Sequence, residues 1–196
     1  INLLQEKYFN LTKFIQNPQP EKEIKGRYLP TKLYFTDNLN ILNDSTFVGR
    51  SIDMNYGSFF IYNSRSKEKK WIKFNHKFRY PDKKYEDQSY LNSICVHPQK
   101  KKIIVAYRYF DLIQLYDDEG KLLQEHCFSK IQKPLLSTVA SGMAPEASFY
   151  NLSICGTNKY CYILRANKTG IQLQNQPQKL SGQLIVMDWS GNIKNI

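Results

Sequence analysis

Asn92-Ser-Ile-Cys-Val-His97, Lys102-Ile-Ile-Val-Ala-Tyr-Arg108 and Leu112-Ile-Gln-Leu-Tyr-Asp-Asp-Glu-Gly-Lys-Leu-Leu123 recur in the same order as Asn151-Leu-Ser-Ile-Cys-Gly156, Tyr160-Cys-Tyr-Ile-Leu-Arg165 and Gln183-Leu-Ile-Val-Met-Asp-Trp-Ser-Gly-Asn-Ile193. The runs are short and rich in Ile, Val, Leu and Tyr, which suit a pleated, half-buried surface. Each copy carries a turn, Asp117-Asp-Glu-Gly-Lys121 or Trp189-Ser-Gly-Asn192, where glycine supplies the positive φ of a tight reversal. A unit of this kind reads as four strands of an antiparallel meander. A looser third copy runs Leu39-Asn-Ile-Leu-Asn-Asp44, Thr46-Phe-Val-Gly-Arg-Ser51, Ser58-Phe-Phe-Ile-Tyr-Asn63 and Lys70-Trp-Ile-Lys-Phe74.

Self-similarity at a period of roughly 50 to 60 residues, with polar loops at 76–90 and 129–148, points to propeller blades rather than a sandwich. The expected fold is therefore all-β, a β-propeller of four-stranded antiparallel blades, with about three blades in this chain and the ring incomplete. Residues 1–38 form a lead-in or the end of a preceding blade, with Lys32-Leu-Tyr-Phe35 as a strand. Residues 39–91 and 92–150 are each a blade and its loop, and 151–196 is a third blade.

With 196 residues and 23.1 kDa the chain is long enough to bury a sizeable core. Leu, Ile, Val and Phe together exceed the roughly 20% below which highly charged chains stay disordered. No run approaches the ~18 consecutive apolar residues of a membrane-spanning helix. The formal charge of +11 raises a polyanionic partner, yet 22 Lys accompany only 6 Arg. Arg is the residue suited to bidentate phosphate and base-edge contacts, so nucleic acid is not the expected partner. From Arg65 to Lys84 nine basic residues face only Glu68 and Asp82. This basic patch, with Lys67, Lys69, Lys70, Lys73, Lys77 and Arg79, reads first as a solvated hairpin whose lysines block edge-to-edge pairing. Its alternative is a face for acidic polymers.

The segments Leu42-Asn-Asp-Ser-Thr-Phe-Val-Gly49, Gly57-Ser-Phe-Phe-Ile-Tyr62, Ile104-Val-Ala-Tyr-Arg-Tyr-Phe-Asp-Leu-Ile-Gln-Leu-Tyr116 and Leu184-Ile-Val-Met-Asp-Trp-Ser-Gly-Asn192 resemble the TolB-like six-bladed β-propeller family of gut anaerobes. The resemblance implies an extracytoplasmic protein, secreted, periplasmic or lipid-anchored, with no family catalytic set to carry over. The chain is shorter than six blades require, which implies either a piece of a longer propeller or half of a ring completed by a second copy.

The residues themselves offer no His-Glu-x-x-His, Gly-x-Ser-x-Gly or phosphate loop. His76, His97 and His126 read as surface or loop histidines. Cys95, Cys127, Cys155 and Cys161 include no Cys-x-x-Cys pair, so neither zinc nor another metal or cofactor is expected. Cys95 and Cys155 read as small buried hydrophobes, Cys127 as the exposed thiol, and one disulfide stays open. Asp117, Asp118 and Glu119 lack calcium-loop spacing and read as a turn. Trp71 and Trp189 read as blade-packing residues with sugar or peptide stacking as the alternative. The candidate ligand site is Asp53, Arg108, Tyr109, Asp111 and Arg165, polar residues within strands or at their ends, with Arg108 and Arg165 at equivalent repeat positions. Two arginines at one mouth would take a carboxylate or an acidic sugar. The expected function is a non-enzymatic binding module for a protein, peptide or glycan. A polysaccharide hydrolase or lyase is the alternative, and a basic module for acidic polymers the second.

Overall fold

The computed structural model describes residues 7–8, 27–28, 30–33, 36–51, 58–97, 99–137, 143–175 and 182–196. Ile1–Phe35 and Thr36–Ile196 form separate units. In the first, β1 (Lys7–Tyr8) pairs antiparallel with β2 (Arg27–Tyr28). The strand expected at Lys32–Phe35 is replaced over Thr31–Leu33 by a single 3-10 turn. Pro30 opens it: its ring fixes φ near the helical value, and its carbonyl accepts the Leu33 N–H at 2.8 Å.

The second unit is built from three four-stranded antiparallel sheets, each a meander in chain order. Sheet one holds β3 (Thr36–Asn43), β4 (Thr46–Ser51), β5 (Phe59–Asn63) and β6 (Glu68–Ile72). Sheet two holds β7 (Asn92–His97), β8 (Lys102–Tyr107), β9 (Leu112–Asp117) and β10 (Leu122–Cys127). Sheet three holds β11 (Ser148–Gly156), β12 (Tyr160–Thr169), β13 (Gln183–Asp188) and β14 (Ile193–Asn195). β3 starts at Thr36 rather than Leu39 because Thr36 and Asp37 already pair with Ser51 and Arg50. The loop expected at 76–90 contains a short helix, α1 (Lys83–Ser89), and a second, α2 (Gly170–Asn175), follows β12.

The repeated turns form as the glycines predict. Asp117 Oδ1 accepts the N–H of Glu119 and of Lys121, with Gly120 at φ 78°. Asp188 Oδ1 accepts the N–H of Ser190 and of Asn192, with Gly191 at φ 92°. Partial burial opposes ionisation of Asp188. The N–H groups of Asn192 and Ser190, together with the Lys194 ammonium at 3.0 Å, nevertheless hold its carboxyl well below the usual range.

Side chains alternate across each strand, so sheet two faces both neighbours. Ile94, Ile103, Val105, Tyr107, Leu112 and Tyr116 pack with Leu42, Val48, Phe59 and Ile61 of sheet one. Cys95, Ile104, Ala106, Ile113 and Leu115 pack with Cys161, Ile163, Ile185, Met187 and Trp189 of sheet three. The backbones of successive sheets meet chiefly at their first strands, β3 with β7 and β7 with β11. Asn38 and Asn40 side chains donate to the Asn92 and Ile94 carbonyls, each at 3.4 Å.

Two expectations fail on burial. His97 is 3% exposed inside β7 rather than on a surface. Its Nε2–H donates to the Asn158 carbonyl at 3.0 Å, its Nδ1 accepts the Lys100 N–H at 3.2 Å, and Trp189 stands edge-on at 5.0 Å. Cys155 is exposed, whereas Cys95 is buried, and all four cysteines are free thiols. The register pairs Cys155 with Tyr162 on the outward face of sheet three, opposite the face that carries Ile163 and Met187.

Candidate functional site

The segment joining β8 to β9 carries Arg108, Tyr109 and Asp111, three of the residues singled out from the sequence. Asn151, at the first strand of sheet three, anchors that segment. Its Nδ2 donates to the carbonyls of Tyr107 at 2.8 Å and Leu112 at 3.2 Å. The Tyr150 N–H donates to the Arg108 carbonyl at 2.8 Å. Asn92 repeats the device one sheet earlier, donating to the carbonyls of Ser58 and Tyr90.

Asp111 and Arg165 are brought together as a pair. Arg165 Nε and Nη2 donate to the two Asp111 oxygens at 2.8 and 2.6 Å, and the side chains are only 11% and 2% exposed. Arg165 Nη1 also donates to Gln183 Oε1, and the guanidinium lies 5.3 Å from the Phe128 ring centre. Such a bidentate, charge-assisted fork engages both carboxylate oxygens and braces sheet three to sheet two. Arg108 is half-buried and makes no ion pair among the described residues. Tyr109 packs on Phe149 at 4.9 Å, and burial raises its phenol, with the Arg108 charge pulling the other way. Asp53 lies outside the described residues. Arg108 and Arg165 are one register position apart: Cys95 pairs with Ile104 and Cys155 with Tyr162, which makes Tyr107 the counterpart of Arg165.

A polar network crosses the seam between sheets one and two; of its members only His76 is named on its own from the sequence, as a surface or loop histidine and not as a site residue. Gln114, fully buried, donates through Nε2 to Asn75 Oδ1 at 2.7 Å and to Glu125 Oε2 at 2.5 Å. Its Oε1 accepts the Tyr116 hydroxyl at 2.6 Å. His76 Nε2 lies 3.1 Å from Glu125 Oε1, and Asn75 Nδ2 donates to Glu125 Oε2. Tyr107 donates to Ser58 Oγ at 3.2 Å. Burial pushes the Tyr107 and Tyr116 phenols up. For Glu125 burial acts in the same sense, but Gln114, Asn75 and His76 outweigh it and hold the carboxyl below its usual range. The one signal available in the sequence was Gln114 itself, a polar residue on the inward face of an otherwise apolar strand.

The basic patch divides in two. Lys69 Nζ sits 4.1 Å from the Phe60 ring centre and 4.7 Å from that of Trp71. Lys70 Nζ donates to the Glu119 carbonyl at 2.7 Å. Lys67 is exposed at the β5–β6 turn with φ 59°. Lys73, Lys77 and Arg79 lie on the extended segment after β6, exposed, with Phe74 buried and His76, Phe78 and Tyr80 half-buried between them. Trp189 is buried with its Nε1–H on the Thr157 carbonyl, and Trp71 is edge-on to Phe60 at 5.4 Å. His126 bonds the Gly191 carbonyl at 2.7 Å. Among the described residues no group of three His, Cys, Asp or Glu could hold a metal, and no helix is long and apolar enough to cross a membrane.

No protein-family model matches the chain, and no curated protein matches it. Among solved structures it is similar to a member of the DUF4221 family from Bacteroides vulgatus, at 14% identity and a TM-score of 0.48 over 79% of this chain and 49% of that one. A second likeness is to KlHsv2 with loop 6CD replaced by a Gly-Ser linker, at 12% identity and a TM-score of 0.28 over 81% and 50%. The chain spans about half the length of each.

Proposed function

We propose that Thr36–Ile196 forms three consecutive blades of a TolB-like β-propeller and serves as a non-catalytic binding module outside the cytoplasm. The observation that carries this reading is the meeting of β3, β7 and β11, the first strand of each meander, since a propeller gathers the first strands of its blades about its axis. The resemblance in sequence adds the family and the location. Binding is favoured over hydrolysis of a polysaccharide by the use of two carboxylates. Asp111 is held by Arg165, and Glu125 by Gln114, Asn75 and His76. A general acid for glycoside cleavage needs a raised pKa, and Glu125 is shifted the other way.

The loop with Arg108 and Tyr109 is the ligand site of this reading. An array of glycans and peptides probed with the chain tests it. A ligand retained by the chain and lost on Arg108→Ala supports the site, while release of reducing ends from a bound polysaccharide would turn the reading to the enzyme.

A further inference from the structure

We infer that the segment from Lys73 to Arg79, with Lys133 beside it, is a docking strip for a linear acidic polysaccharide. The backbone here is extended apart from a bend at Asn75 and His76, and its side chains alternate. Phe74 and Phe78 turn inward, both stacked on Phe110, at 4.8 and 5.6 Å. Tyr80 stands edge-on to Tyr90 at 6.4 Å. These aromatic anchors fix the strip against the core between sheets one and two, because each ring buries a large apolar area in one geometry. Lys77 and Arg79 then face solvent one two-residue step of roughly 6 to 7 Å apart, and Lys73 faces solvent four residues earlier, across the bend.

Lys133 comes from 54 residues further on. Its Nζ donates to the Arg79 carbonyl at 3.2 Å and lies 5.8 Å from the Tyr80 ring centre, which sets a fourth cation against the end of the row. Lys73, Lys77 and Arg79 make no salt bridge among the described residues. Glu125, the carboxylate that bonds this segment, is taken up by Asn75, His76 and Gln114 rather than by these cations. A polymer with charges repeated along it gains from each cation, and the anchored backbone has no further ordering to undergo.

The polymer class follows from what the strip lacks. Single-stranded nucleic acid is held by bases stacked on exposed rings, and here the rings are turned into the core. Three of the four cations are lysines, point charges suited to carboxylates or sulfates in varied orientations rather than to bidentate phosphate. The strip is a different surface from the Arg108–Tyr109 loop, so either proposal can fail alone.

The test uses the intact chain with fluorescein-labelled heparin and polygalacturonate, neutral dextran, and single-stranded DNA, followed by anisotropy. Both acidic polysaccharides are expected to bind, and affinity to fall steeply between about 50 and about 200 mM salt. Lys73→Gln/Lys77→Gln/Arg79→Gln, with a melting curve to confirm the fold, should weaken binding by about tenfold or more. Lys100→Gln/Lys121→Gln/Lys159→Gln removes the same charge from exposed sites elsewhere and should change it less than about twofold. Equal losses in the two triple variants, tighter binding of the DNA, or equal binding of dextran would overturn the proposal.

Discussion

The two seams that flank sheet two solve the same packing problem differently. Between sheets two and three the contact is apolar and mostly aliphatic: Cys95, Ala106 and Cys161 sit among Ile104, Ile113, Leu115, Ile163, Ile185 and Met187, with Trp189 as its large ring. The Cys95 and Cys161 thiols meet there, and that contact together with burial pushes Cys161 up. Polar groups are confined to its margins, as the Asp111–Arg165 fork and the His97–Asn158 bond. Between sheets one and two the contact is aromatic, and it admits a polar chain that runs from buried Gln114 out to half-exposed His76. A dry, apolar seam tolerates little change in volume. A seam with a polar chain depends instead on every member keeping its partner.

The largest effect is expected where the dry seam ends in charge. Asp111→Ala leaves the Arg165 guanidinium buried without its partner and should cost about 3–5 kcal/mol in urea unfolding. The double change Asp111→Ala/Arg165→Leu should recover most of that loss. A cost below that of an exposed pair would mean that the fork does not brace the seam.

Next in size are changes of volume. A Cβ on Gly156 would stand 2.5 Å from Cys95 Sγ and 2.9 Å from Trp189 Cζ2, both in the dry seam. Gly156→Ala should therefore lower stability by about 1–3 kcal/mol through overpacking, measured as a shift in urea midpoint at unchanged slope. Gln114→Leu keeps bulk in the aromatic seam but takes the acceptor from the buried Tyr116 hydroxyl and a donor from the Glu125 carboxylate, for about 1–3 kcal/mol. Adding Tyr116→Phe to Gln114→Leu should return part of this loss, since one stranded hydroxyl is then removed. An additive result would separate the two residues energetically.

The smallest effect is the pH dependence that Glu125 brings to the aromatic seam. Glu125 titrates below its ordinary 4.5 in the folded chain, so it binds fewer protons there than when unfolded. Its contribution is present above that pH and lost as pH falls through the folded value. The stability gap between the parent chain and Glu125→Gln should thus shrink between about pH 6 and about pH 3. A gap that widened on acidification would mean that folding raises the Glu125 carboxyl instead of lowering it.

Much of the architecture was legible because the repeat is carried by strand-length runs and by turns with a stereochemical requirement. Asp117 to Lys121 and Asp188 to Asn192 are turns for reasons each sequence states by itself. The first residue of each run, Asn92 and Asn151, was visible as a repeat, but its role depends on carbonyls 34 and 39 residues earlier. Asp111 and Arg165 were both visible as polar residues near strand ends. That they neutralise each other is a fact of tertiary register across 54 residues. Cys95 and Cys155 occupy the same place in the repeat and differ in exposure, because sheet three covers the face that carries Cys95. Periodicity says which residues share a face and is silent on what lies against it.

Three meanders that fan out from their first strands, as blades do, have a signature in pairwise spin-label distances. In a Cys127→Ser/Cys155→Ser background, one pair of labels goes on the first strands, at Ile41 and Ser153, and another on the fourth strands, at Glu68 and Lys194, all exposed positions. Blades require a Glu68–Lys194 separation much larger than the Ile41–Ser153 one. Equal separations would mean sheets layered in parallel and no fan.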